Sequence, residues 1–129
     1  MHWRLSIKNE RGQTTTEFAL VLPVLALLLF GIIQFGIAFN NYLTLTDAVR
    51  ASARKAAVSR QSNDPVGDAR AAFRAAAVNL NPVPDPVVAS SWQPGTDVKV
   101  SASFPYQIHL LGLVVLDGDL TSQTTERVE

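Results

Sequence analysis

An uncharged and mostly apolar run near the beginning of the chain dominates its pattern of hydrophobic and polar positions. The run covers residues 18–46, and its most apolar part is residues 18–39. As a helix, residues 18–39 would measure about 33 Å, enough to cross a hydrocarbon core of about 30 Å. The apolar core of a secretory signal is shorter and precedes a small-residue cleavage site, whereas residues 40–42 (NNY) follow this run. The pattern therefore predicts a single transmembrane helix.

Helical periodicity continues beyond the apolar run. Apolar and small residues recur at helical spacing on one face: Leu45, Val49, Ser52 and Ala56. The charged residues of the same segment fall on the opposite face: Asp47, Arg50 and Arg54. Because no glycine or proline intervenes after Phe39, we expect the transmembrane helix to continue as an amphipathic helix to about Ser59.

A second, shorter helix is predicted after a polar break. Asp64 suits an N-cap, and Pro65 suits the first helical position. The Asn81-Pro82 pair should end this helix, and the prolines that follow favour an extended connection. Its predicted buried face comprises Ala69, Phe73, Ala76 and Leu80, and its predicted solvated face carries Arg70 and Arg74.

The last third of the chain has a β pattern. Apolar residues alternate with polar ones at Val98, Val100, Ala102 and Phe104, which predicts a half-buried strand. Pro105 should limit its extension, and Asp117-Gly118 predicts a hairpin turn before a second alternating segment at residues 119–128. Residues 109–116 (HLLGLVVL) are too few to span a bilayer. Two interpretations remain open for them, a central strand or an apolar loop at the membrane surface.

These patterns predict an α+β fold with three regions, and the overall plan resembles that of pilins. Residues 1–12 form a basic cytoplasmic leader, residues 13–59 a transmembrane and juxtamembrane helix, and residues 60–129 a small extracytoplasmic α+β domain with an antiparallel sheet. Basic residues flank the span on both sides, so charge alone does not orient it. We expect the amino terminus inside, because twelve residues are more easily retained there than ninety.

Composition excludes several classes of function. The formal net charge is zero, which gives no indication of nucleic-acid binding. Without cysteine there is neither a disulfide nor thiol chemistry. The two histidines, His2 and His109, stand apart from any catalytic or phosphate-binding motif. We therefore expect no enzyme activity, catalytic residue, metal, cofactor or small-molecule substrate.

The polar residues just before the apolar run allow two interpretations. Thr14-x-x-Glu17 matches a capping box, which would begin the helix there. Alternatively, Gly12 followed by Glu17 and Phe18 resembles the processing site of type IV prepilins, where a membrane peptidase cuts after the glycine. That resemblance implies Gln13 as the new amino terminus and Glu17 with Phe18 as assembly contacts. Within the run, Pro23 is expected to bend the helix.

The wider segment resembles the TadE-like family of pilus-assembly proteins. The motifs that carry the resemblance are Arg11-Gly12, Glu17-Phe18, the ALVLP of residues 19–23, Phe35-Gly36, and the helix of residues 48–54. The resemblance implies a minor pilin or pseudopilin of a tight-adherence (Flp, type IVb-like) pilus, single-pass in the bacterial inner membrane. Its implied partners are the lipid bilayer, other pilins or pilus-assembly proteins, and a prepilin peptidase. The alternative is an uncleaved single-pass protein whose outer domain binds another envelope or secretion component.

Overall fold

One very long helix carries the rest of the molecule. The computed structural model describes residues 10–129 of the chain, with side chains from residue 12 onward. Helix α1, Glu10–Val58, has 49 residues, which corresponds to about 73 Å at the α-helical rise. The prediction that the apolar helix continues to about Ser59 is confirmed. The basic residues Arg4 and Lys8 of the predicted leader lie outside the described residues.

Helix α1 has two parts with different surroundings. No residue from 12 to 44 is buried, and the most apolar 18-residue window has a mean hydropathy of 2.6 with none of it buried. The second part is buried along one face, at Leu45, Ala48, Val49, Ser52, Ala53, Ala56 and Ala57. All four residues of the predicted stripe are among them, and the charged residues opposite are exposed as predicted. We refer to residues 45–129 as the head.

Helix α2, Pro65–Ala76, begins as predicted. The Asp64 carboxylate accepts a hydrogen bond of 2.9 Å from the Gly67 backbone N–H, so it caps the helix. The helix ends about one turn before the predicted stop at Asn81-Pro82. The Ala77 N–H still bonds to the Phe73 carbonyl, but Ala77 itself has left the helical conformation. The asparagine-rich sequence that follows favours turns over helix, which accounts for the earlier end.

Three antiparallel strands form a sheet in the order β1-β2-β3. They are β1 (Val87–Ala89), β2 (Asp97–Leu110) and β3 (Leu113–Arg127). Strand β1 is short and pairs with β2 from Val87↔Ser101 to Ala89↔Lys99; the sequence pattern did not predict it. The alternation predicted for β2 is confirmed, because Val98, Val100, Ala102 and Phe104 are all buried.

The hairpin turn lies elsewhere than the sequence indicates. Strand β2 continues through Pro105, so the prediction that Pro105 limits it is wrong, as is the turn at Asp117-Gly118. The turn is formed by Leu111 (φ 52°) and Gly112 (φ 80°), the two positive φ values of a type I′ hairpin. Gly118 instead lies in β3 opposite Tyr106, whose ring approaches so closely that a Cβ on Gly118 would lie 3.0 Å from it. Covering a strand glycine with an aromatic ring satisfies that position without a turn.

The core of the head joins both helices to the inner face of the sheet. Phe73 is fully buried at its centre, in a cluster that also contains Leu45, Ala48, Val49, Ala53, Ala77, Leu80, Val100, Ala102 and Phe104. The Ser52 hydroxyl donates a buried hydrogen bond of 2.8 Å to the Ala69 carbonyl, which ties α1 to α2. The predicted α+β plan of a long helix, a second helix and a small antiparallel sheet is confirmed.

Candidate functional site

The candidate processing segment, residues 12–18, lies within the first turns of α1 and is exposed throughout. The Thr16 hydroxyl donates a hydrogen bond of 2.9 Å to the Gly12 carbonyl, one helical turn back. This bond is local to the helix and requires no contact with the head. The segment is therefore an accessible helical stretch at the amino-terminal side of the apolar run.

Glu17 is held by a neighbour on its own helix. The Gln13 side-chain amide donates a hydrogen bond of 3.0 Å to a Glu17 carboxylate oxygen, at the i, i+4 spacing of helical neighbours. The capping-box interpretation of Thr14 and Glu17 is wrong, because α1 already begins at Glu10 and Thr14 lies inside it. An N-cap has to lie at the boundary of a helix, where backbone N–H groups lack helical partners.

The surroundings of Glu17 suit an intermolecular contact. Its carboxylate is exposed and stands directly before the uncharged run that starts at Phe18. Among the side chains that the structure describes, no basic group lies within salt-bridge distance of it. A carboxylate at the margin of a hydrocarbon layer is costly unless a cation or water reaches it.

Phe18 and Pro23 lie on the apolar part of α1. Phe18 is 59% exposed and belongs to neither core cluster of the head. Pro23 lies inside α1, where its missing N–H leaves the Ala19 carbonyl without its helical donor. The helix continues through Pro23 as one element, and the predicted bend there stays a prediction.

A second feature is one that the sequence left ambiguous, namely the end of the β2–β3 hairpin. We call residues 110–116 the hairpin tip. Its large side chains are exposed over half or more of their surface at Leu111, Leu113, Val114, Val115 and Leu116. Next to the tip, a cavity of about 210 Å³ lies between the hairpin and α1. It is lined by Phe35, Ala38, Phe39, Tyr42, Tyr106, Ile108, Leu116 and Leu120. The signal in the sequence was the apolar run HLLGLVVL with a glycine at its centre, which indicates a turn rather than a continuous strand.

Polar chemistry is sparse elsewhere in the described part of the chain. Within residues 10–129 no group of three or more histidine or acidic residues could hold a metal ion. Arg70 and Arg74 both approach Asp85, at 3.9 Å and 3.7 Å, but all three side chains are substantially exposed. Pairs of this kind contribute about 0–1 kcal/mol to stability, so they fasten the end of the proline-rich connection only weakly.

The fold and the exposed segment together define a class of protein: an α+β head carried on one helix that is long and apolar enough to cross a membrane. Residues 12–54 match the family model described as TadE-like protein. The match covers about a third of the chain and confirms the resemblance to the TadE-like family that the sequence motifs indicate. The TadE-like family suggests involvement in Tad pilus assembly. No curated protein and no solved structure matches the chain.

Proposed function

We propose that this protein is a minor pilin or pseudopilin that takes part in assembling a tight-adherence pilus and has no enzymatic role. The proposal rests on the match of residues 12–54 to the TadE-like family. This stretch combines Gly12 and Glu17 with an apolar helical segment, residues 18–44, in which no residue is buried. In this proposal the protein resides in the bacterial inner membrane. Its amino terminus faces the cytoplasm and its head lies on the outer side.

The burial pattern of α1 supports this role. Between residues 12 and 44 no residue of the helix is buried, whereas a core helix of a soluble domain would bury one face. Such a surface is stable in a bilayer, and after extraction it is stable against the same helix of neighbouring subunits. In the bilayer or in a bundle of such helices, the head stays outside the apolar layer and is attached to it through α1.

Glu17 has a specific task in this proposal. Cleavage after Gly12 would make Gln13 the first residue and place a new amino group four residues before Glu17. A Glu17 carboxylate entering an apolar assembly needs a cation, and the amine of a neighbouring subunit supplies it. The bond from the Gln13 side chain to Glu17 shows that these two positions lie on the same side of the helix.

Cleavage is tested by the mass of the protein isolated from its native membrane. The Gly12→Ala variant should keep its leader, while the unchanged protein should begin at Gln13. Gly31→Ala is the matched control, because a Cβ at Gly31 meets nothing within 4 Å and the site lies inside the span. An intact amino terminus on the unchanged protein, in cells with an active prepilin peptidase, would refute processing.

The assembly role of Glu17 is tested separately with Glu17→Gln. This variant keeps the size and hydrogen-bonding capacity of the side chain but removes its charge. It should be cleaved normally and fail to support piliation, measured by shearing and counting filaments. Normal piliation by Glu17→Gln would show that the charge has no part in assembly.

The rival function is an uncleaved single-pass protein whose head binds another envelope or secretion component. One observation favours it: α1 runs through Gly12 without interruption, so a peptidase would first have to unwind its first turns. This function predicts a persistent leader and a head that retains its partner without the span. A pull-down with residues 40–129 would distinguish it from the pilin role, in which the partner contacts require residues 12–39.

A further inference from the structure

The strongest unexplained feature is the apolar hairpin tip, residues 110–116. It contains no charged or hydrogen-bonding side chain, and Leu111 is 80% and Leu113 72% exposed. Large apolar side chains clustered this way on a surface mark a binding face rather than a solvated one. The tip is also held in a defined shape, because a two-residue turn joins strands that pair up to Leu110↔Leu113.

The course of the hairpin along α1 shows which environment the tip meets. At the far end of the hairpin, Val98 packs in the same cluster as Ala56. Further along β2, Ile108 lines a shared cavity with Phe35 and Phe39. Strand β2 therefore descends along α1 toward its amino-terminal part. The turn lies three residues beyond Ile108, which is about 10 Å further at the rise of a β-strand.

This course places the tip beside the apolar part of α1, residues 12–44, rather than beside its buried part. Phe35 and Phe39 belong to the outer end of the stretch that would span the membrane, so Ile108 lies at the level of that end. The tip extends beyond it, to the level of the outer leaflet. We infer that the hairpin tip inserts into the outer-leaflet interface of the bilayer as a second membrane contact. The inference rests on the proposed membrane anchoring by α1.

The distribution of polar residues along the hairpin agrees with a boundary at this level. On β3 the uncharged tip ends at Leu116 and is followed at once by Asp117 and Asp119. Tyr106 on β2 and Tyr42 on α1 line the cavity between the hairpin and α1. Tyrosines are favoured at the headgroup level, where the ring is apolar and the hydroxyl reaches water.

Backbone chemistry limits how deep the tip can go. Strands β2 and β3 pair with each other up to the tip, but β1 pairs only with residues 99–101 of β2. Among the described residues, the outer edges of β2 and β3 at the tip therefore have no strand partner. Unsatisfied backbone groups are not tolerated in the hydrocarbon core. At the interface, lipid headgroups and water satisfy them while Leu111 and Leu113 reach the acyl chains, as amphipathic interfacial elements do.

Site-directed spin labelling of the full chain tests the inference. The chain has no cysteine, so Leu113→Cys, Phe30→Cys and Thr121→Cys each give a single labelled site in an otherwise unchanged protein. All three positions are exposed, and a label there should not disturb the core. The protein is reconstituted into vesicles of phosphatidylethanolamine and phosphatidylglycerol. Collision rates of each label with oxygen, which concentrates in lipid, and with a water-soluble nickel chelate are then measured.

The expected result is a higher oxygen-to-nickel collision ratio at Leu113 than at Thr121, shifted toward the ratio at Phe30. A second label at Val115 should give the same shift. A label at Leu113 that is as open to nickel as Thr121, with Phe30 in lipid, would overturn the inference and leave the anchoring intact. A label at Leu113 shielded from both reagents would also overturn it, since a protein surface would then cover the tip. A label at Phe30 in water would refute the anchoring itself.

Discussion

Phe73 offers the sharpest test of how the head is held on its helix. Its ring is fully buried and lies in one cluster with side chains of α1, α2 and β2, among them Leu45, Val49 and Val100. Phe73→Ala removes the largest fully buried side chain at the point where the three elements meet. No residue of the apolar part of α1, residues 12–44, belongs to that cluster. The substitution should therefore destabilise the head without affecting the span.

The expected size follows from burial. Returning a fully buried phenylalanine ring to water costs about 1.5–3 kcal/mol. The cavity left behind adds to this, and measured Phe→Ala changes in cores cost about 3–5 kcal/mol in total. A domain the size of this head has a free energy of unfolding of about 5–10 kcal/mol. The Phe73→Ala head should therefore be only marginally folded.

The measurement is a urea titration of the full chain in detergent micelles, followed by amide hydrogen exchange. Exchange in residues 98–104 of β2 reports unfolding of the head, and exchange in residues 18–35 of α1 serves as an internal control. Val78→Ala is the matched substitution, because Val78 lies just after α2 and is 75% exposed. It should change the free energy of unfolding by less than about 0.5 kcal/mol. A loss below about 1 kcal/mol for Phe73→Ala would refute the central place of this ring, since it would imply that the core closes over the gap.

Three further substitutions test local features of the head by the same titration. Gly112→Ala should cost about 1–2 kcal/mol, because Gly112 has a φ of 80° that a residue with a Cβ adopts only under strain; an unchanged midpoint would mean that the turn adjusts freely. Ser52→Ala should cost about 0.5–1.5 kcal/mol through loss of the buried bond to the Ala69 carbonyl, and a stabilised variant would contradict the role of that bond. Asp64→Ala should cost about 1 kcal/mol by uncapping α2 at the Gly67 N–H, and Asp64→Asn should restore most of the loss if capping is the cause.

The features that the sequence predicts well are those set by local rules. The stripe of small and apolar residues on α1 is buried as its helical spacing indicates, with Leu45 and Val49 in the core. The start of α2 follows from Asp64 and Pro65, because an N-cap and a proline at the first position each act within one turn. The alternation in residues 98–104 predicts the inner face of β2, since successive side chains of a strand point to opposite faces.

Features that depend on distant contacts could not be predicted in this way. Asp117-Gly118 has the composition of a hairpin turn, but the ring of Tyr106 packs on Gly118 and makes it a strand position. Leu111 has a positive φ, which is unusual for a leucine and is imposed by pairing of the flanking strands. Strand β1 has only three residues, too few for a period to show, and it forms because β2 offers it an edge.

The candidate site also has features that the sequence indicates and features that it does not. The motif of Gly12, Glu17 and Phe18 comes from a resemblance to the prepilin processing site, and the structure adds that Gln13 bonds to Glu17 within the helix. The capping-box interpretation of Thr14 failed because the sequence pattern does not show where a helix begins when helix-permitting residues precede its apolar run. The processing of Gly12 itself stays a prediction, because cleavage depends on a peptidase rather than on the fold.

The uninterrupted helix also determines where the head can lie relative to a membrane. No glycine or proline occurs in α1 between residues 37 and 58, so the helix offers no site at which it bends easily. Helix α2 and the sheet pack against this segment from Leu45 onward, and the hairpin continues alongside α1 past Tyr42 toward Phe35. A head fixed in this way cannot turn its apolar tip away from a bilayer that contains Phe35. The proposed anchoring by α1 and the proposed contact by the tip therefore follow from one geometry. The distance of the head from the membrane would be set by the point where α1 changes from an exposed to a buried helix.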